Sequence, residues 1–562
     1  MNSASIMVQE YLGSLKEDRE LDYLFPILLN SMGFKIIQTA KESKGQAQYG
    51  KDIIAIGKDS NGVKYRWYFE LKGYSDRNIN EKNYFAEDGI RESILAAKDT
   101  AFIDSSIPEF NNLPVKIILV HNGVIKPSLR VTFDGFITKN FNEGEFERWD
   151  IYQLTILFSE HLFGEYLLSD DDSVRLLKKT LAFLDTPDYD YGDFKKLVNL
   201  QFDKVFEVRG RSLKKLFATL NLLEALIFHY SVLGKNLLAA KECSKYLVLR
   251  TWRWVLNNKV EEKLAIKKEF NKLLMTQFRI LSAYFKKTYP VASIENGLYS
   301  ENGVFFEKIG YPLRCFEYLD DMIYYSRLRE HIGKAKTNNV IKRRLRNKMK
   351  DLIIRIVENN SGCWRPLLDN HSIPIMQLFV YFVEVSSRRQ EDVEFFVDYL
   401  SQVVHGIAIM KIKNDLMPEF SNSIEYLIEA LSMGQKPEEY TDDSSILIAT
   451  LLELTVIFKN EVIYGEIQKY LSKDMNFQIP TIDCESYNVE ELLLEKHLHK
   501  EYHIEMLDKP DLDFKDFINR FKGVKAMVPI YRTDTAGYSF VRYLAHSYYK
   551  NELLPEEWRI YL

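Results

Sequence analysis

At 562 residues and 66.1 kDa the chain is too long to share one hydrophobic core, so two or three domains are expected. A net charge of −5, with 46% hydrophobic and 28% charged residues, argues against a uniformly cationic nucleic-acid-coating protein but permits a local basic channel. Cys243, Cys315, Cys363 and Cys484 are widely spaced with no C-x-x-C pair, which argues against a disulfide framework or a cysteine zinc site and for reduced thiols in the cytoplasm.

In chain order, Leu21 to Met32 reads as an apolar helix that tolerates Pro26 near its start. Phe34 to Ile37, Asp52 to Ile56 and Tyr65 to Leu71 read as strands, Tyr84 to Ala101 as a helix packed on them, and Val115 to Val120 as a buried strand. Helices interleaved with a small mixed sheet predict an α/β fold for residues 1–165. The stretch ERWDIYQLTILFSEHLF reads as its closing helix. The opening residues carry neither a basic start nor a long apolar run, and no uncharged window reaches membrane-spanning length, so no membrane partner is expected.

Residues 166–194 mix acids, Pro and Gly and read as a linker. From 195 to 475 long amphipathic runs predict a helical region, followed by a mostly helical subdomain over 476–562. Breaks are expected near Ser293 to Gly310 and Met475 to Tyr487. Lys342, Arg343, Arg344 and Arg346 lie in a helix whose Ile341, Leu345 and Met349 fall on the opposite face, so this basic face is a candidate nucleic-acid contact as well as an ordinary solvated surface. His499 and His503 would lie one turn apart on a helix, but KHLHKEYH has no base Glu between them in the pattern of a zinc protease. LGKNLLAAK around Lys235 lacks the upstream Gly and following Ser or Thr of a phosphate loop.

The most informative stretch is YGKDIIAIG, a turn, then VKYRWYFELKGY. Asp52 opens the first of two strands, and Glu70 and Lys72 flank Leu71 near the end of the second. Residues two apart in a strand share a face, so Glu70 and Lys72 project together, and a hairpin would set Asp52 beside them. Two carboxylates and an ammonium at one edge form the minimum set for holding a divalent cation and a water beside a phosphodiester.

In this order of helix, Gly33-Phe34 turn, strand, Asp strand and E-x-K strand, residues 15–160 resemble the PD-(D/E)XK nuclease superfamily and, within it, Mrr-like restriction endonucleases. The resemblance implies a magnesium- or manganese-dependent hydrolase cutting DNA, with Asp52, Glu70 and the Leu71 carbonyl on the metal and Lys72 stabilising charge. It also implies an auxiliary acid on the first helix, here Asp22 or Glu20, where the family usually has Glu. The family favours a Gly shortly after the first acid of its second motif, whereas this chain has Gly50 before it.

A nuclease joined to a large helical region resembles bacterial antiphage defence effectors, in which a sensor controls the nuclease; that architecture implies a phage-derived trigger or a partner protein docking on the helices. Two other readings stand beside it, a non-catalytic interaction scaffold with a nuclease-like docking domain and a DNA repair or recombination nuclease. The sequence leaves homo-oligomerisation open.

Overall fold

The structure is a computed structural model describing residues 3–39, 49–73, 78–87, 89–163, 168–205, 209–333, 339–385, 390–471, 479–483, 490, 493–494, 503–507, 513–521 and 530–561. It divides into two compact units, Met1–Cys243 and Ser244–Leu562.

The first unit is built on a five-stranded sheet whose order follows the chain: β1 Lys35–Gln38, β2 Ile53–Lys58, β3 Lys64–Lys72, β4 Val115–His121 and β5 Phe146–Trp149. β1, β2 and β3 run antiparallel, while β3, β4 and β5 run parallel. The β2–β3 hairpin closes on Asp59, whose carboxylate accepts the N–H groups of Asn61 and Val63, with Gly62 at φ +81°. That turn fixes the pairing Ile53 with Phe69, and a one-residue slip would exchange the faces of both strands.

Helices precede and bridge the strands: α1 Ser3–Leu12, α2 Asp22–Ser31, α3 Glu81–Tyr84, α4 Ile90–Asp99, α5 Pro127–Asn140 and α6 Ile151–His161. On one sheet face Phe25, Phe34, Trp67, Phe69 and Trp149 form an aromatic cluster with ring centroids 5.1–6.2 Å apart. Alternation sends Ile54, Ile56 and Tyr68 to the other face, and Leu119 packs with α4 and α5 through Ile90, Ile94, Leu129 and Phe133.

The α/β class holds in this part of the chain, and the four strands read from the sequence all form. In place of one helix over 84–101, α3 ends at Tyr84 and α4 starts at Ile90. β5 and α5 were not read from the sequence, and ERW belongs to β5 rather than to the closing helix.

The span read as a linker contains α7 Asp171–Phe183 and the first residues of α8 Gly192–Asp203. Asp170 caps α7 by accepting the Ser173 N–H, and Val174 and Leu177 bury its inner face. With α9 Gly210–Leu233 these helices belong to the first unit, so the division falls at Cys243 rather than within 166–194.

The second unit is mainly helical, with α11 Leu264–Ala292, α12 Glu307–Gly333, α13 Asn339–Asn359, α14 Ser372–Val385, α15 Gln390–Asn414 and α17 Ile446–Ile457 as its long elements; α10 Leu237–Asn257 carries the chain across the division, and α16 Ile424–Leu427 is one turn long. The expected break near Ser293 falls at the end of α11, where Asn360 and Asn359 donate to the terminal carbonyls of Ala292 and Ser293. Asp369 caps α17, accepting from Ser445 Oγ and the Ile446 and Leu447 N–H groups. The unit also holds a strand pair, Ile479–Asp483 with His503–Leu507. His503 therefore starts a strand rather than sharing a helical face with His499; His497 and His499 lie outside the described residues.

Ser212–Leu233 and Gln390–Asn414 are long and apolar enough to cross a membrane by length and composition, and 72% and 50% of their apolar windows are buried within the protein.

Phe69 is fully buried at the centre of the aromatic cluster. Phe69→Ala is expected to destabilise the fold by about 3–5 kcal/mol through lost burial and a residual cavity, and Phe69→Leu by much less. Urea unfolding followed by circular dichroism reads both, and an unchanged midpoint for Phe69→Ala would contradict this packing.

Candidate active site

The pairing that sets Ile53 against Phe69 brings Asp52, just ahead of β2, beside Glu70 and Leu71 near the end of β3. Asp52 Oδ2 accepts the Leu71 N–H at 2.7 Å. Glu70 is buried, and the Lys72 ammonium lies 2.6 Å from its carboxylate. Leu71 turns its side chain into the core, as strand alternation requires. Asp52, Glu70 and Lys72 are thus brought together.

A fourth group comes from an element the sequence did not announce. Between α1 and α2 the chain makes a π-helical turn, Glu17–Leu21. Glu17 Oε2 accepts the Gly73 N–H at 2.8 Å, and Oε1 lies 3.9 Å from the Lys72 ammonium. Gly73 makes the approach possible, because a Cβ there would sit 2.7 Å from the Glu17 nitrogen. The two acids weighed as auxiliary groups separate. Asp22 begins α2 close enough to raise the proton affinity of Glu17, and its Oδ1 is buried with no hydrogen-bond partner among the described residues. Glu20 points elsewhere, pairing with the Lys215 ammonium and accepting the Lys16 N–H. A run of Glu17, Asp18, Glu20 and Asp22 is legible as acidic; which acid faces the sheet depends on the π turn, which rotates successive side chains differently from an α-helix.

Lys51 was also missed. Its ammonium is buried, donates to the carbonyls of Tyr49 and Ala96, and lies 5.3 Å over the Tyr68 ring. Gly50 before it has φ +69° and packs so closely on α4 that a Cβ would meet the Ser93 carbonyl oxygen at 1.9 Å. The Gly50-Lys51 step thereby anchors the start of β2 to α4. His121 lies opposite Lys72 in the β3–β4 pairing and is buried, with neither ring nitrogen partnered among the described residues.

Proton affinities follow this crowding. Burial, and then the Glu70 carboxylate, push Asp52 up to about 7 against the opposing pull of Lys72. Burial likewise raises Glu17. Burial works against the charged form of Lys72, but Glu70, Glu17 and Asp52 together outweigh it and hold the ammonium charged. Burial lowers Lys51 to about 8, opposed by Glu70, and lowers His121 to about 4.

Asp52, Glu70 and Glu17 supply the kind of hard oxygen donor a divalent cation takes, but their ligand atoms do not all lie within 4.8 Å of one another, so a cation would have to draw them together from their present partners. No structural feature of the described residues assigns the Leu71 carbonyl to a metal.

The basic helix is α13, in the second unit. Its Met349 and Ile353 are buried. Arg346 pairs through two nitrogens with Glu330, and Lys350 with Asp392, whereas Arg343 and Arg344 are exposed. The Lys342 side chain lies outside the described residues.

No protein-family model, curated protein or solved structure matches the chain.

The raised affinity of Asp52 gives a signed pH dependence. A carboxyl ordinarily near 3.8 and held near 7 in the folded state leaves stability intact below about pH 4 and removes it as pH rises toward about 7, because the unfolded chain ionises first. At about 1.4 kcal/mol per tenfold change in proton affinity, the effect is a few kcal/mol at most. In EDTA, Asp52→Asn is expected to melt above wild type at pH 8, with the difference vanishing near pH 4.5. Parallel melting curves across that range would contradict the assignment.

Proposed function

We propose that the first unit hydrolyses phosphodiester bonds in DNA with the help of magnesium or manganese. The observation carrying this reading is the meeting of Glu17, Asp52, Glu70 and Lys72 at one strand end, with the buried Asp22 oxygen left unpartnered beside them. The resemblance of the motif order to Mrr-like nucleases supports DNA as the substrate class.

Asp52, Glu70 and Glu17 would hold the cation, and when bound it would polarise the scissile phosphate and lower the pKa of a coordinated water. Lys72 supplies a fixed ammonium to stabilise charge developing on the phosphoryl oxygens and to orient the attacking water. The Leu71 N–H fixes the Asp52 carboxylate, and the Gly73 N–H fixes Glu17. Asp52 must be ionised to accept a cation, so loading improves as pH rises through about 7.

Among the described residues, all members of this set belong to the first unit. We assign the second unit the part of sensor or docking platform that restrains or delivers the nuclease, with exposed Arg343 and Arg344 as its nucleic-acid-facing cations.

Purified full-length protein is expected to nick or linearise supercoiled plasmid with magnesium or manganese and to stop in EDTA. Glu70→Gln and Lys72→Ala should each lower the rate on the order of a hundredfold or more, the scale of losing one transition-state charge contact. Glu17→Gln should cost roughly tenfold or more for the same reason, whereas Glu20→Gln should cost far less. Wild-type cleavage by folded Glu70→Gln, or full activity in EDTA, would remove the proposal.

A further inference from the structure

The π turn that brings Glu17 to the sheet also borders a cavity of about 670 Å³ in the first unit, walled in addition by the end of α8 and the start of α9. Lys16, Lys204, Arg209 and Lys215 line it, against the carboxylate of Glu20 among the described lining residues. Lys204 reaches Asp170 at 2.7 Å and Ser173 Oγ at 3.0 Å, and Lys215 is drawn to Glu20. Among the described lining residues cations still outnumber acids with Lys204 and Lys215 each held by a carboxylate, so the field in the cavity favours an anion.

The start of α9 adds to the same field. This 24-residue helix has no side-chain cap and no acidic residue in its first turn, so its leading N–H groups keep their attraction for an anion. Gly210 and Ser212 line the cavity there, and nothing lies within 4 Å of where a Gly210 Cβ would stand. Val205 and Leu216 give the wall an apolar portion. The volume lies within the roughly 300–1,000 Å³ of small-molecule sites.

We propose that this cavity binds a phosphate-bearing small molecule of nucleotide size. Its phosphates meet Lys16, Arg209, Lys215 and the first turn of α9, and its less polar part lies against Val205 and Leu216. Phosphate competes with Glu20 for Lys215. Glu20 shares its turn with Glu17, so occupancy of the cavity is linked to the setting of Glu17. The binding itself stands apart from the nuclease reading and is measured without cleavage.

The test is calorimetric titration of the full-length, metal-free protein at physiological salt with AMP, ADP, ATP, GTP, inorganic pyrophosphate and a short single-stranded oligodeoxynucleotide. At least one nucleotide is expected to bind with Kd below roughly 100 μM. Lys16→Ala and Arg209→Ala should each weaken it about threefold or more through loss of a charge-assisted contact. Glu20→Gln should tighten it by releasing Lys215, a gain that damage to the fold cannot imitate. No nucleotide binding, affinities indifferent to all three substitutions, pyrophosphate binding as tightly as every nucleotide, or binding of the oligodeoxynucleotide alone would overturn the proposal. Failure of plasmid cleavage would leave these titrations unaffected.

Discussion

The first unit is organised around carboxylates crowded about one ammonium at the end of β3. Glu70 and Lys72 form the buried centre, Asp52 approaches from β2, and Glu17 from the turn before α2. Burying like charges together is costly, and a well-packed apolar set is often at least as stable as a buried ion pair. Two backbone N–H groups, of Leu71 and Gly73, are given over to holding the acids, and Gly73 has no side chain because Glu17's backbone occupies that space. Such an arrangement, with burial and Glu70 pushing the Asp52 carboxyl up to about 7, holds ionisable groups together at a cost in stability.

Much of this was legible because a strand has a period of two. Asp52, Glu70 and Lys72 could be placed on one edge from spacing alone once the hairpin was recognised, and the antiparallel register of β2 and β3 places them there. Glu17 was not legible: four acids crowd residues 17–22, and only the π turn decides which faces Lys72. Lys51 drew no attention in the sequence, although Gly50, with its left-handed φ and close contact with α4, marks a chain segment that cannot swing outward. β5 was hidden by its length of four residues, and α5 by a mixed pattern in which Val131 is exposed while Phe133 and Phe136 are buried.

Composition misled most at the presumed linker. The acids of LLSDDDSVRLLKK resemble a solvated connection, but an aspartate N-cap followed by two aspartates in the first turn is also a helix start, and Val174 and Leu177 supply its buried stripe. The helical character of the second unit was clear from its long amphipathic runs. Its internal charges were not, because sequence spacing within one helix does not reveal partners on another. Arg346 looked like part of a phosphate-facing surface, yet Glu330 sixteen residues earlier takes two of its three donating nitrogens.

The turn Glu17–Leu21 stands between two charged environments of the first unit. In an α-helix, residues three apart share a face, and Glu17 and Glu20 would then compete for the same partners. The wider π turn parts them: Glu17 reaches the end of β3, and Glu20 reaches Lys215 on α9. The rest of the unit accommodates that separation, with Gly73 cleared on one side and a basic cavity opened on the other. A regular α-helical turn in this place would keep the same charges but could not serve both environments, so the irregularity is the feature that lets one short acidic segment join the strand-end cluster to the neighbouring cavity.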